Sequence, residues 1–296
     1  MGRVIYFNIN YICNNRCLFC FSSSTSTQSN SGIIPYQECV RRLATCVPSV
    51  SDLVIINGGE PTLHPQFYQL LNYLNHCYTS RTVIYTNGVS LDASRISHNS
   101  KVHFVIPIHG PESIHTDITR NPASFRNTLT NLHTLNHFHF SYSLKFIINN
   151  QMIATDFHIK NFLLANDLHP LEVIIARMNE TKTSQKNHYR IPEISDVQDY
   201  MNRQINILKS YVPIKILDIP PCLITNIENN INMRDSYDVP QFFFNDFRFN
   251  MRSEKYYKQV KIKKICKNCH FEQLCTLMST SYLTLVYRDG WEIDSE

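Results

Sequence analysis

The chain is predicted to be an α/β protein built on a parallel sheet, with a smaller C-terminal segment of different character. Three observations predict this. Short apolar runs alternate with longer stretches whose apolar residues recur every three or four positions. Six such runs are separated by helix-like stretches, a pattern that calls for parallel strands joined by right-handed crossovers. The 296 residues, 43% of them hydrophobic, suffice for one large domain, or one domain and a small companion.

Strands are expected at Val4–Asn10, Leu53–Ile56, Thr82–Tyr85, Val102–Ile108, Ser141–Ile148 and Leu171–Ala176. Helices are expected at Tyr36–Val47, Pro65–Cys77, Ala123–Leu135, Thr155–Asn166 and Ile194–Leu208. The first helix gathers Tyr36, Val40, Leu43 and Val47 on one face; the second gathers Phe67, Leu70, Leu71 and Leu74. Pro65 suits a first helical turn. The polar stretch Met178–Arg190 is expected to be a surface loop. The character changes near residue 212, so the expected division is 1–211 and 212–296, with no internal repeat.

Composition excludes several classes. No run of about twenty apolar residues could span a bilayer. The N-terminus lacks a charged-then-apolar leader, which predicts a cytoplasmic protein. A formal charge of +4 does not by itself argue for nucleic acid. Ten cysteines would suit a disulfide framework in a secreted chain, but seven of them fall into metal-like groupings.

The first grouping is Cys13-Asn-Asn-Arg-Cys17-Leu-Phe-Cys20, directly after the first strand. Three thiolates on one tight loop can hold three irons of a cubic iron–sulfur cluster and leave the fourth iron open for chemistry. A structural zinc site would normally be closed by a fourth ligand; a zinc knuckle is the alternative reading. After the second strand comes Asn57-Gly58-Gly59-Glu60-Pro61. In a chain with only seven glycines, the pair marks a place where backbone approaches a ligand closely.

Together the two motifs resemble the radical S-adenosylmethionine (SAM) superfamily, with its CxxxCxxC loop and GGEP loop, each following a strand. The resemblance implies a partial (β/α)6 TIM-like barrel. It implies that Cys13, Cys17 and Cys20 ligate a SAM-binding 4Fe-4S cluster and that Phe19 lies near the adenine. Gly58, Gly59 and Glu60 would hold the amino group of SAM. The open iron would chelate the methionine and position its sulfonium for electron transfer. Thr86-Asn87-Gly88 is similar to the family's TNG turn, although Asn-Gly is a good turn on any fold. Lys145 stands where relatives place a basic residue towards the SAM carboxylate; a strand-end lysine reaching solvent is the equal alternative. Ile106-Pro107-Ile108-His109-Gly110 departs from the relatives' serine-containing strand, leaving the ribose contact undefined. His115–Thr119 and Ser124-Phe125 resemble a stretch seen in peptide-modifying members.

The second grouping is Cys222, Cys266, Cys269 and Cys275. Four thiolates can close a site around zinc or around a 4Fe-4S cluster. The pattern resembles the SPASM or Twitch extensions of radical SAM enzymes, which implies an auxiliary 4Fe-4S cluster that relays an electron or shapes the pocket. Thr276 departs from the glycine that relatives carry after the last cysteine, while Tyr282-Leu283 is present. Phe242–Phe249 and the lysines up to Lys267 could form a nucleic-acid platform, but a packed cap over the second cluster is preferred. Its basic edge, with Lys261, Lys263 and Lys264, suits an acidic leader peptide.

The implied function is a radical SAM enzyme that modifies a ribosomally made precursor peptide at an unactivated C–H bond, by crosslinking, oxidation or epimerisation. A flavodoxin or ferredoxin is the implied electron donor. With the barrel starting at once, leader recognition is expected to need a separate protein or the barrel's own surface. A small-molecule substrate, such as an amino sugar or nucleotide, is the first alternative, and a non-catalytic metal-binding protein the second. Cys39, Cys46 and Cys77 are expected to be small buried hydrophobes. His137 and His139 alternate as if on a strand without completing a site, and His270 is not needed as a ligand.

Overall fold

The computed structural model describes residues 4–21, 32–46, 48, 50, 52–78, 80–97, 101–219 and 223–225, and the backbone of 231–232, 241–245 and 248–252. The strands are β1 (Val4–Asn8), β2 (Leu53–Asn57), β3 (Arg81–Tyr85), β4 (Val102–Ile108), β5 (Ser141–Ile148), β6 (Glu172–Arg177), β7 (Ile214–Leu217), β8 (Ile231–Asn232), β9 (Gln241–Asn245) and β10 (Arg248–Arg252). The helices are α1 (Tyr36–Cys46), α2 (Phe67–Cys77), α3 (Glu112–Thr119), α4 (Ser124–His137), α5 (Asn150–Ala154), α6 (Ile159–Ala165), α7 (Lys182–Lys186) and α8 (Ile194–Leu208).

Among the described residues all ten strands form one sheet, in the order β10-β9-β1-β2-β3-β4-β5-β6-β7-β8. Every pairing is parallel except that of β9 with β10. From β1 to β8 each strand is laid beside its predecessor, as in a TIM-like barrel left open. The expected α/β architecture is the observed one.

Period-two patterning divides the sheet into two faces. Ile5, Phe7, Val54, Ile56, Ile84, Phe104, Ile106, Leu144, Phe146, Val173 and Ile175 are fully buried in one cluster with residues of the helices. The opposite face is mixed. Val105, Ile174, Ala176 and Leu217 form a smaller apolar group there, flanked by half-buried Val83, Tyr85 and Ile147. Lys145 lies on that same face, since its register partners are Pro107 and Ile174.

Several boundaries differ from expectation for identifiable reasons. Strand β1 stops at Asn8, because the chain then turns and only Asn10 makes an isolated bridge, to Ile33. The helix expected at Thr155–Asn166 is two helices. Asn149 caps α5 by accepting from the Met152 N–H, and Asp156 at φ 45° cannot continue a right-handed helix. Helix α3 was hidden by its shortness. It begins after Pro111 and ends at Arg120, which is left-handed at φ 52° and donates its N–H to Thr116. The stretch expected to be a loop at Met178–Arg190 contains α7, opened by a capping box between Thr181 and Ser184. Pro65 lies before α2, not in its first turn.

Helix α1 is rotated from the expected face. Cys39, Arg42, Leu43 and Cys46 are buried, while Tyr36 and Val40 are half-buried. Arg42 can be buried because Glu38 accepts from its Nε at 2.7 Å. Val47 lies outside the described residues. The expected face of α2 is the buried one. His137 ends α4 and His139 is left-handed at φ 57°, so the strand reading of this pair is corrected. Cys39 and Cys46 are buried as expected, whereas Cys77 is exposed. The aromatic run at 242–249 contributes to β9 and β10, a hairpin that joins the sheet beside β1.

Candidate functional site

In parallel sheets of this kind the loops after the strands meet at one rim, where ligands bind. The rim here carries the sequence motifs. Strand β1 leads into Cys13, Cys17 and Cys20, β2 into Gly58-Gly59-Glu60, β3 into Thr86-Asn87-Gly88, and β4 into His109-Gly110.

The glycine pair is required by the chain itself. A Cβ on Gly58 would overlap the Asn10 carbonyl oxygen, and one on Gly59 would overlap the Ile12 carbonyl oxygen. Within the chain, the close approach is to the backbone entering the cysteine loop. Hydrogen bonds hold it: Gly59 N–H to Asn10 O at 3.0 Å, Glu60 N–H to Ile12 O at 2.7 Å, and Asn10 Nδ2 to Glu60 O at 2.8 Å.

Glu60 is buried, with 1% of its surface exposed. One carboxylate oxygen accepts from Thr62 N (3.1 Å), Thr62 Oγ1 (2.6 Å) and Thr86 Oγ1 (2.5 Å). The other accepts from Asn87 N at 2.6 Å. Desolvation nevertheless pushes its pKa upward against these donors. Among the described residues no ion pair includes it. Glu60 thus locks the loop after β2 to the turn after β3, and its charge would be best balanced by a cation at the rim.

Two of the three cysteine thiols, Cys13 and Cys17, are shifted upward. Cys13 is open to solvent, yet the surrounding protein desolvates its sulfur and pushes the thiol up to about 11, with Glu60 and Cys20 adding to the effect. Burial raises Cys17 further, helped by Cys20 and Cys13. Such mutual repulsion is relieved when the thiolates share a cationic centre. Among the described residues no three potential ligands converge on a single ion.

The loop is anchored chiefly from α3 and its surroundings. Arg16 N–H donates to Thr119 O at 2.8 Å and Leu18 N–H to Ile118 O at 3.0 Å. Asn121 Nδ2 donates to Asn15 Oδ1 at 2.9 Å, and Asn187 Nδ2 to Leu18 O at 2.9 Å. Asn15 Nδ2 donates to Ser124 Oγ at 3.2 Å, and Ser124 Oγ lies 3.0 Å from His115 Nε2. The His109 N–H faces His115 Nδ1 at 3.3 Å, which assigns the proton of a neutral His115 to Nε2. Burial keeps His115 neutral, with its pKa lowered to about 4. His109 stacks on His115 with centroids 5.3 Å apart, and burial lowers its pKa as well.

Phe19 is 6% exposed and meets His109 edge-on at 5.3 Å and Tyr189 at 5.4 Å. It belongs to an apolar group with Ile114, Ile118 and Met178. Lys145 is half-buried, its Nζ 5.9 Å from the centre of the Tyr85 ring. The structure therefore brings Cys13, Glu60 and the loop glycines together, and packs Phe19 beside His109. Cys222, Cys266, Cys269 and Cys275 lie outside the described residues.

Sequence reasoning missed Asn10 and Asn15 as parts of this site, and it named Asn87, His115 and Ser124 only through resemblance, without the contacts they make here. Their polar side chains carry no periodic signal. Only Asn87 had one, its place immediately after a strand.

The radical SAM superfamily model matches residues 7–149. Mycofactocin maturase MftC of Mycobacterium ulcerans (strain Agy99) is 28% identical over 130 residues, 43% of this chain and 34% of that protein. The protein of the same name from Mycobacterium tuberculosis (strain ATCC 25618 / H37Rv) is 28% identical over 120 residues, 40% of this chain and 30% of that one. The chain spans about a third of the length of these curated relatives. Streptococcus suis SuiB bound to its precursor peptide SuiA superposes with a TM-score of 0.60 at 16% identity, covering 82% of this chain and 57% of that one. The protein anSMEcpe with bound AdoMet gives 0.57 at 15% identity, covering 70% and 58%. At these identities the two structures speak for the fold.

Proposed function

We propose that this chain, whose residues 7–149 form a radical SAM superfamily domain, is an enzyme that modifies a ribosomally made precursor peptide at an unactivated C–H bond. One observation carries the reading. The Cys13–Cys20 loop and the buried Glu60 loop are clamped together at the rim of a parallel sheet.

Cys13, Cys17 and Cys20 hold a 4Fe-4S cluster in this reading, and the donor set fits it: three thiols on one short loop with no fourth cysteine on that loop. When bound, the cluster supplies the electron for reductive cleavage of SAM, whose 5′-deoxyadenosyl radical takes a hydrogen atom from the substrate. Glu60 favours the ammonium of SAM through its unbalanced charge, and the Gly58-Gly59 backbone lines the same loop. Phe19 and His109 form an aromatic wall beside the cysteines, suited to a nucleobase. Lys145 offers a positive charge for the carboxylate of SAM.

The peptide substrate draws support from the maturase name of the curated relatives and from a likeness in fold to a protein solved with its precursor peptide. The stretch His109–Phe125 argues less for a peptide than its resemblance suggested, since His115, Thr119 and Ser124 serve to anchor the cysteine loop. Cys222, Cys266, Cys269 and Cys275 hold an auxiliary 4Fe-4S cluster in the 212–296 extension, which accepts the electron left after hydrogen abstraction. A flavodoxin or ferredoxin reduces the first cluster.

Anaerobic reconstitution followed by iron and sulfide analysis tests the reading. About eight irons per chain are expected for two clusters and about four for the first alone. Reduced protein should release 5′-deoxyadenosine from SAM, and a peptide encoded beside the gene should lose two mass units on co-expression if crosslinked or desaturated. Failure to form 5′-deoxyadenosine, with or without that peptide, would refute the enzyme.

A further inference from the structure

The turn after β3 touches both halves of the site through one residue. The Asn87 N–H holds Glu60 at 2.6 Å. The Asn87 side-chain nitrogen lies 3.6 Å from Cys13 Sγ and 2.7 Å from Asn14 Oδ1. Which end of the amide faces the sulfur is decided by the other end: Asn87 Oδ1 accepts from the Val89 N–H at 2.9 Å, so the NH2 faces Cys13. The Asn15 N–H adds a second donor to the same sulfur at 3.4 Å. The turn is held from α4, where Thr128 donates to Asn87 O at 2.9 Å and Asn131 to Gly88 O at 2.7 Å.

We infer that Asn87 is a positioning residue that orients Cys13 as a ligand and raises the reduction potential of the cluster it holds. Donors to cluster sulfurs stabilise the more negative, reduced state, and Cys13 has two. An aspartate of the same shape would keep the bond from Val89 but turn an oxygen towards both the sulfur and Asn14 Oδ1. The inference rests on the reading that Cys13 ligates a 4Fe-4S cluster.

The test compares reconstituted wild-type protein with Asn87→Ala, Asn87→Asp and Asn131→Ala by potentiometric titration followed by electron paramagnetic resonance. Asn131→Ala loosens the same turn without touching the sulfur. Asn87→Ala is expected to shift the potential of the first cluster to more negative values, Asn87→Asp to shift it further the same way, and Asn131→Ala to leave it at the wild-type value. Unmoved potentials in both Asn87 variants, or an equal shift in Asn131→Ala, would overturn the inference alone. A wild-type protein that takes up no cluster through Cys13, Cys17 and Cys20 would overturn the proposed function with it.

Discussion

Alanine substitutions at three glycines separate two reasons why a position tolerates no side chain. At Gly59 the reason is space: an added Cβ meets the backbone of Tyr11 and Ile12, neither a side-chain end that can swing away. The loop must retreat, placing two hydrogen bonds at risk, Gly59 N–H to Asn10 O and Glu60 N–H to Ile12 O. At about 1 kcal/mol each, with about 1–3 kcal/mol of overpacking, Gly59→Ala should cost roughly 3–5 kcal/mol. At Gly32 the reason is conformation. Its φ is +64°, and its added Cβ has only the Ile12 side chain at an ordinary 3.5 Å. Gly32→Ala should cost about 1–2 kcal/mol. Gly58 combines both, with φ +151° and the Asn10 carbonyl in the way, and should cost most. Urea unfolding of the three variants beside wild type reads these differences through midpoints at constant slope. If Gly59→Ala cost no more than Gly32→Ala, the argument that the two loops are pressed together backbone to backbone would be wrong.

Other expectations follow from the same site. Serine at Cys13, Cys17 or Cys20 should abolish uptake of the first cluster while leaving far-ultraviolet circular dichroism unchanged. Glu60→Gln places an amide NH2 against either the Asn87 N–H or the donors from Thr62 and Thr86, so it should cost about 1–3 kcal/mol in chemical denaturation and weaken SAM binding in calorimetry. His115→Leu removes the link to Ser124 and should speed hydrogen exchange at Arg16 and Leu18, the amides that α3 holds. Glu38 is held by Arg41 and Arg42 at a pKa of about 2, below its ordinary 4.5. Its contribution is present above 4.5 and fades as pH falls towards 2, so Glu38→Gln should flatten the acid limb of a stability–pH curve across that window.

Much of the fold was legible because its signals are local and strong. Val102–Ile108, Ser141–Ile148 and Ile194–Leu208 fall where their periodicity places them. Helices α3 and α7 were not legible, since each has too few apolar residues to show a stripe and is defined by its ends, Arg120 and the Thr181 capping box. Cys13, Cys17, Cys20 and Glu60 stood out by spacing. What the sequence could not show is that Glu60 is saturated by its own chain, or that Asn15 and Ser124 are neighbours across 109 positions. A hydrogen bond between two polar side chains so far apart leaves no periodic trace.

The strand that leads into the cysteines has neighbours on both sides, and one of them is made late. Val4 to Phe7 pair with β2 on one flank and with Gln241 to Phe244 on the other. During synthesis the first flank is covered within the opening sixty residues, whereas the second waits for a segment more than two hundred positions downstream. A nascent or truncated chain ending before that segment presents a row of open amides and carbonyls beside the cysteine loop, where a stray strand could pair.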